Sequence, residues 1–339
     1  MLVNAPASDV RTAAYRTYFE EAFLRPADRT ALTSLVYERH GAIRGFLGVA
    51  PRRMRFKGSP ILAALCSQFV VDPEERGLAG LQMLKTCFAG PQDLSIADEA
   101  GENARKMWEW CGGSAVLPLS THWMRPLQPA QAALALAAKQ VRKVPCRPVL
   151  AGVARLLDRF TGLRAVGRAA GPLRGTCVAL DESTFVAGAS GFAGKCAIVP
   201  EYAPHAVDWV FARLTHGRSA RFVRRQLVRD EFGNAAGWFI YVIGPDGVGD
   251  VLHVATGAGL ARLVLDHLAE DARAHGAVAL TGRLDPSLAP ELSERHSFLY
   301  RRGHWMLAHS KHAELMHALQ RGDAFLSRLD GEWCLRFTA

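Results

Sequence analysis

No two cysteines in this chain stand in a C-x-x-C pair, and the seven present (Cys66, Cys87, Cys111, Cys146, Cys177, Cys196 and Cys334) form an odd set. That pattern excludes a zinc ribbon or a disulfide framework and fits reduced thiols in a cytoplasmic protein. Missing too is any run of about 18 apolar residues, the length a membrane-spanning helix needs. The opening MLVNAPASDVRTAAYR lacks an apolar core behind a basic start, so no secretory leader is expected. With 31 glycines and 17 prolines among 339 residues, collagen-like and low-complexity classes are excluded. What is present is ordinary globular usage, 49% hydrophobic and 22% charged, in a chain long enough for about two domains.

Charge is the first uneven feature. The net value is +9, and residues 131–175 hold nine basic residues (Lys139, Arg142, Lys143, Arg147, Arg155, Arg159, Arg164, Arg168, Arg174) against one acid, Asp158. The rest of the chain is therefore close to neutral, which argues against a general nucleic-acid coat. Val149, Val153, Leu156, Leu157 and Phe160 recur at helical spacing, with Arg155 and Arg159 off that stripe. Leu134, Ala138, Val141 and Val144 suggest a helix before it, and Pro145 and Pro148 separate the two. Three readings stay open: a helical linker with a solvated basic face, a helix lying on an anionic membrane, or a wall for an anionic substrate. No nucleic-acid motif or aromatic interleaving accompanies the charge.

Along the chain, residues 11–24 read as a helix and 34–51 as a hairpin around Glu38-Arg39-His40-Gly41. Residues 60–71 read as a buried strand, 78–88 as a helix, 93–98 as a strand, 102–111 as a helix closed by Gly112-Gly113, and 114–124 as a final strand. Residues 175–200 show short strand-like runs around AGASGFAGK, and 203–215 look helical. From about 221 three strands, a helix, a strand (AVALTGRL), a short helix, a strand (FLYRRGHWMLAHS), a helix and a terminal hairpin (FLSRLDGEWCLRF) are expected. The fold class is thus α/β (α+β), two mixed-sheet domains in tandem joined by a basic helical segment. The expected boundaries are 1–128, 129–200 and 201–339.

The sharpest local signal is Phe69-Val70-Val71-Asp72-Pro73-Glu74-Glu75-Arg76-Gly77-Leu78-Ala79-Gly80-Leu81. A buried strand stops at a proline, and a glycine turn then opens a helix. The free amides and dipole of a helix start form an anion site able to hold a pyrophosphate. An ordinary strand-to-helix turn, with both glycines serving packing, fits the same residues.

Residues 34–126 resemble the GNAT superfamily of acyl-CoA-dependent N-acyltransferases. The usual V-x-P-x-x-R-G-x-G-x-G/A stands here as Val71 to Leu81, with Ala79 at a glycine position and Leu81 at the last small one. The second landmark stands as Trp108-Glu109-Trp110-Cys111-Gly112-Gly113. The resemblance implies that the strand before the turn splays from its neighbour. Backbone groups of Phe69, Val70 and Val71 would then meet pantetheine, and the amides of Arg76, Gly77, Leu78, Ala79, Gly80 and Leu81 would hold the pyrophosphate. It also sets Trp108 beside the cofactor, where many members carry a tyrosine that protonates the leaving thiolate. Indole is a very poor acid. Residues 221–339 resemble the same fold more loosely and lack the arginine–glycine turn; Thr256-Gly257-Ala258-Gly259 is the nearest candidate.

The implied function is transfer of an acyl group, acetyl first, from acetyl-CoA or another acyl-CoA to an amine on a small molecule or sugar precursor. The acceptor is expected in a groove between the domains. Transfer to an amine needs a proton acceptor. Asp98 and Glu99, at the end of the strand beside the cofactor strand, are the candidates, and capping of the next helix is their alternative role. Cys66 and Ser67 lie on the cofactor strand, and Glu332, beside the turn Asp330-Gly331, could border an acceptor pocket. No metal site is expected. Rival functions are an aminoacyl-tRNA-dependent transferase of peptidoglycan assembly and an acyl-CoA-binding protein at a membrane surface.

Overall fold

The computed structural model describes residues 9–24, 30–140, 147–160, 172–194, 196–216, 222–301 and 303–335. Its strands are β1 (Leu35–Arg39), β2 (Ala42–Phe56), β3 (Ser59–Val71), β4 (Leu94–Ala100), β5 (Ser114–Ala115), β6 (Thr121–Pro126) and β7 (Thr176–Ala179). They continue as β8 (Ile198–Pro200), β9 (Phe222–Arg229), β10 (Ala235–Ile243), β11 (Val248–Thr256), β12 (Ala279–Arg283), β13 (Phe298–Arg301) and β14 (Trp305–His309).

Two compact units share the chain. One takes Met1–Leu117, Cys196–Arg218 and Gly303–Ala339; the other takes Pro118–Lys195 and Ser219–Arg302. This division differs from the expected boundaries at 128 and 200, because strands near those boundaries pair with sequence-distant partners. In the first unit the order is β1-β2-β3-β4-β14-β5, with β8 added beside β2. In the second it is β13-β6-β12-β11-β10-β9-β7. Each sheet is mixed, since β3–β4 and β11–β12 run parallel and the other pairs run antiparallel.

Local chemistry explains much of the first unit. The β1–β2 turn carries positive φ at His40 and Gly41, and the β2–β3 turn at Lys57 and Gly58. Two left-handed residues in succession match the twist of antiparallel strands, so both hairpins close tightly. Leu47, Val49, Ala64, Leu84, Trp108 and Leu307 then fill the core. In the second unit Val228, Phe239, Tyr241, Val264, Leu268 and Leu280 do so.

Four expectations change. Residues 114–124 are not one strand: β5 ends at Ala115, a turn of helix covers Leu117–Ser120, and β6 joins the second sheet. Gly282 admits β6 there, because a Cβ at that position would press on the Trp123 indole at 3.1 Å. FLYRRGHWMLAHS likewise splits into β13 of the second sheet and β14 of the first. Within 175–200 the main element is a helix, Glu182–Phe192, started by Asp181 accepting from the Thr184 amide at 2.7 Å. The terminal segment is not a hairpin. Ser327 and Asp330 form a reciprocal cap that winds Arg328–Asp330 into one 3-10 turn, and Glu332–Leu335 forms another.

In the basic segment the described helices are Pro129–Gln140 and Arg147–Phe160. Arg142, Lys143, Val141, Val144, Pro145, Arg164 and Arg168 lie outside the described residues. Asp158 is fully buried. Its carboxylate accepts from the amides of Ala130 (2.9 Å) and Gln131 (3.1 Å), tying the second helix to the start of the first. Among the described residues no helix is long and apolar enough to cross a membrane.

Candidate active site

β3 and β4 pair over only three positions, Ala63–Leu94, Ala64–Ser95 and Leu65–Ile96. Beyond them β3 continues to Val71 along β2, and β4 continues to Ala100 along β14. The two strands therefore part after Leu65 and Ile96, and each presents an edge that its neighbour leaves unpaired. A bulge helps to bend β3 there. Gln68 has φ +51°, and the β2 register slips between Phe46 and Gly48, opposite it. Phe69, Val70 and Val71 thus lie on the open length of β3.

The strand delivers the chain into a pinned turn. Asp72 accepts from the Glu74 amide (3.2 Å) and from Arg44 (2.9 Å), and Arg39 pairs with Glu75 (2.7 Å). The Arg44 guanidinium holds the Asp72 carboxyl below its ordinary range. Gly77 follows with φ +103°, a conformation L side chains rarely adopt, and space beside it is open. Leu81 makes the first helical hydrogen bond, to the Gly77 carbonyl (3.0 Å). The amides of Leu78, Ala79 and Gly80 precede that bond and point out of the helix start. Gly80 has a different task. A Cβ there would lie 3.1 Å from the Met107 sulfur, so this glycine lets two helices approach. Arg76 and Leu78 are exposed, Leu81 is half-buried, and Ala79 is buried. Trp108 is 2% exposed and packs edge-to-face on Phe88, so its indole is enclosed in the core.

Asp98 and Glu99 lie on β4 past the last β3 pair. They do not cap the following helix, whose cap is Gly101 with no side-chain bond. They meet the C-terminal segment instead. Asp98 accepts from the Glu332 amide (2.6 Å), the Glu99 amide donates to the Glu332 carboxylate (2.9 Å), and Arg328 donates to the Glu99 carboxylate (3.0 Å). Loss of hydration first, and the Asp98 charge second, push the Glu332 carboxyl up to about 8 against the opposing pull of the Glu99 amide and Ser67. Glu332 thus engages β4 through Glu99 and β3 through Ser67, where the strands part.

The segment is firmly seated. Tyr18 donates to the Leu335 carbonyl (2.5 Å), Tyr202 to Asp330 (2.6 Å) and Arg52 to the Cys334 sulfur (2.8 Å). Gly331 is required for a steric reason: a Cβ there would overlap the Asp98 carboxylate. Its φ of −109° suits any residue, so crowding alone is at issue. Gly331→Ala is expected to displace Asp98 and cost about 1–3 kcal/mol of stability in urea melts. An unchanged midpoint would mean that Asp98 does not hold this position.

Sequence reasoning named Asp98, Glu99 and the strand–turn–helix, and Glu332 separately beside the Asp330-Gly331 turn, but did not join these acids to one another or to Arg328. The one available signal was the S-x-x-D cap, Ser327 to Asp330, which fixes the segment locally.

No family model and no curated protein sequence matches this chain. Solved structures do. A probable N-acyltransferase of Enterococcus faecalis superposes with TM-score 0.53 at 10% identity, covering 90% of this chain and 71% of that one. A GCN5-related N-acetyltransferase of Kribbella flavida gives 0.52 at 14%, covering 90% of this chain and 65% of that one. Another from Anabaena variabilis gives 0.52 at 12%, covering 89% and 71%. The chain has the GNAT fold. The parting of β3 from β4 and the glycine turn after it are what the resemblance of residues 34–126 implies; the bulge at Gln68 is not among its expectations. Each match spans nearly the whole chain, so the GNAT-like likeness extends to both units.

Proposed function

We propose that this protein is an acyl-CoA-dependent N-acyltransferase whose donor site is the opening between β3 and β4. The observation that carries the reading is the lodging of Glu332 between those strands, at the far end of an open edge that leads to the Gly77 turn. The residues present suit coenzyme A. Outward amides at Leu78, Ala79 and Gly80 face no blocking side chain at Gly77, and the neighbouring acids Asp72 and Glu75 are occupied by arginines. Bound acyl-CoA supplies the thioester whose carbonyl carbon the acceptor amine attacks. The open edge of Phe69 to Val71 orients the pantetheine arm with backbone hydrogen bonds. Glu332, in its carboxylate form, takes the proton that the amine must lose, its basicity raised by burial first and by the Asp98 charge second. The thiolate leaves without help from Trp108, which is enclosed; a thiol with pKa about 8.5 is a tolerable leaving group.

Calorimetry should find one coenzyme A per chain, because Thr256-Gly257-Ala258-Gly259 in the second unit lacks the arginine–glycine turn. An amine panel with acetyl-CoA should release free thiol. Coenzyme A binding without thiol release on any amine would favour an acyl-CoA-binding protein, a reading that draws on the enclosed Trp108. No coenzyme A binding would leave the aminoacyl-tRNA-dependent transferase as the enzyme to test.

A further inference from the structure

The helix Arg147–Phe160 is seated the opposite way to most surface helices. Its small and acidic positions face inward: Ala154 is buried, and fully buried Asp158 holds the neighbouring helix start. Its large aliphatics face out, with Leu150 41%, Val153 48% and Leu156 56% exposed. Arg155 and Arg159 are also exposed and border that face. Among the described residues no carboxylate pairs with either arginine.

We propose that this helix docks on an anionic lipid surface, with Leu150, Val153 and Leu156 entering the acyl boundary and Arg155 and Arg159 at the phosphates. Charge decides the occupant. Residues 131–175 carry nine cations, and their one acid, Asp158, is buried as a cap. A second copy would bring the same cations against each other. From Leu150 to Arg159 the outward side chains offer aliphatic carbon and guanidinium and no hydrogen-bond acceptor. Such a face has nothing to fix a partner's orientation, but it suits a fluid, negatively charged interface. Apolar insertion and headgroup attraction then act together, as they do for amphipathic basic helices at membranes.

The full chain is sedimented with vesicles of equal parts phosphatidylcholine and phosphatidylglycerol, and with phosphatidylcholine alone. Binding to the anionic vesicles only is expected. Arg155→Gln with Arg159→Gln should weaken it about fivefold per arginine. Val153→Gln with Leu156→Gln keeps the charge and should weaken it about tenfold or more, with an unchanged melting temperature because both sites are exposed. Absence of wild-type binding at low salt would overturn the proposal, as would equal binding by the Val153/Leu156 variant, which would leave charge alone as the cause. A concentration-dependent dimer that the Val153/Leu156 variant abolishes, without vesicle binding, would assign the face to a second copy instead.

Discussion

Glu332→Gln slows thiol release by about 100-fold or more and, in alkaline buffer, makes the protein harder to unfold. The first effect is the usual size of a lost general base. In the wild type the rate climbs with pH and levels off above about 8, as the Glu332 carboxyl ionises. That inflection disappears in the variant. The second effect follows from the same shift. The folded protein keeps the Glu332 proton up to about pH 8, whereas the unfolded chain releases it near the ordinary glutamate value. Between those values the native state binds more protons, so stability falls as pH rises and the full penalty stands above pH 8. Glutamine carries no charge at any pH and removes the penalty, worth on the order of 3 kcal/mol after allowance for the residue's partial contact with water. The groups facing this carboxyl are Asp98, Glu99 and Ser67, with Arg328 bound to Glu99. Thiol-release profiles and urea melts across about pH 6 to 10 measure both effects. A variant with the wild-type rate and inflection would remove Glu332 from the chemistry.

Gly77→Asp lowers coenzyme A affinity at least tenfold, about 1.4 kcal/mol. The substitution sets a carboxylate beside the outward amides of Leu78 to Gly80, where phosphate oxygens are expected. Strain is a separate matter. At φ +103° any side chain costs about 1–2 kcal/mol of stability, so Gly77→Ala serves as the control. Space beside Gly77 is open, and alanine should lose stability while keeping most of the affinity. Calorimetry on both variants, each checked by its melting curve, separates repulsion from strain. Equal affinities for wild type and Gly77→Asp would place the pyrophosphate elsewhere.

Features written in neighbouring residues were legible. The turn at His40-Gly41, the strand ending at Val71 (buried only over Ala63–Ser67) and the helix start at Gly77 all follow from short-range chemistry. The exchange of strands was not. A stretch such as Thr121–Pro126 can be buried in either sheet, and the partners it pairs with, including Gly282 opposite Trp123, lie far along the chain. Residues 182–192 misled because their glycines suggest turns; Gly188 in fact clears space for the Trp238 ring, which a Cβ would meet at 2.7 Å. Asp98 and Glu99 were readable as acids near a strand end. Their partner lies 234 positions from Asp98, and neither spacing nor composition connects the two.

Strand exchange also sets the order in which the protein can be made. The first unit needs β14 between β4 and β5, and Glu332 between β3 and β4, yet both lie in the last stretch of the chain. A ribosome adding about 5–20 residues per second exposes β1 to β4 long before their final partners. Until Trp305–His309 emerges, β4 lacks the neighbour on its far side, an edge that invites wrong pairing. Glu332 is among the last residues to leave the exit tunnel, so a nascent chain truncated before it would lack the carboxylate that accepts from the Glu99 amide.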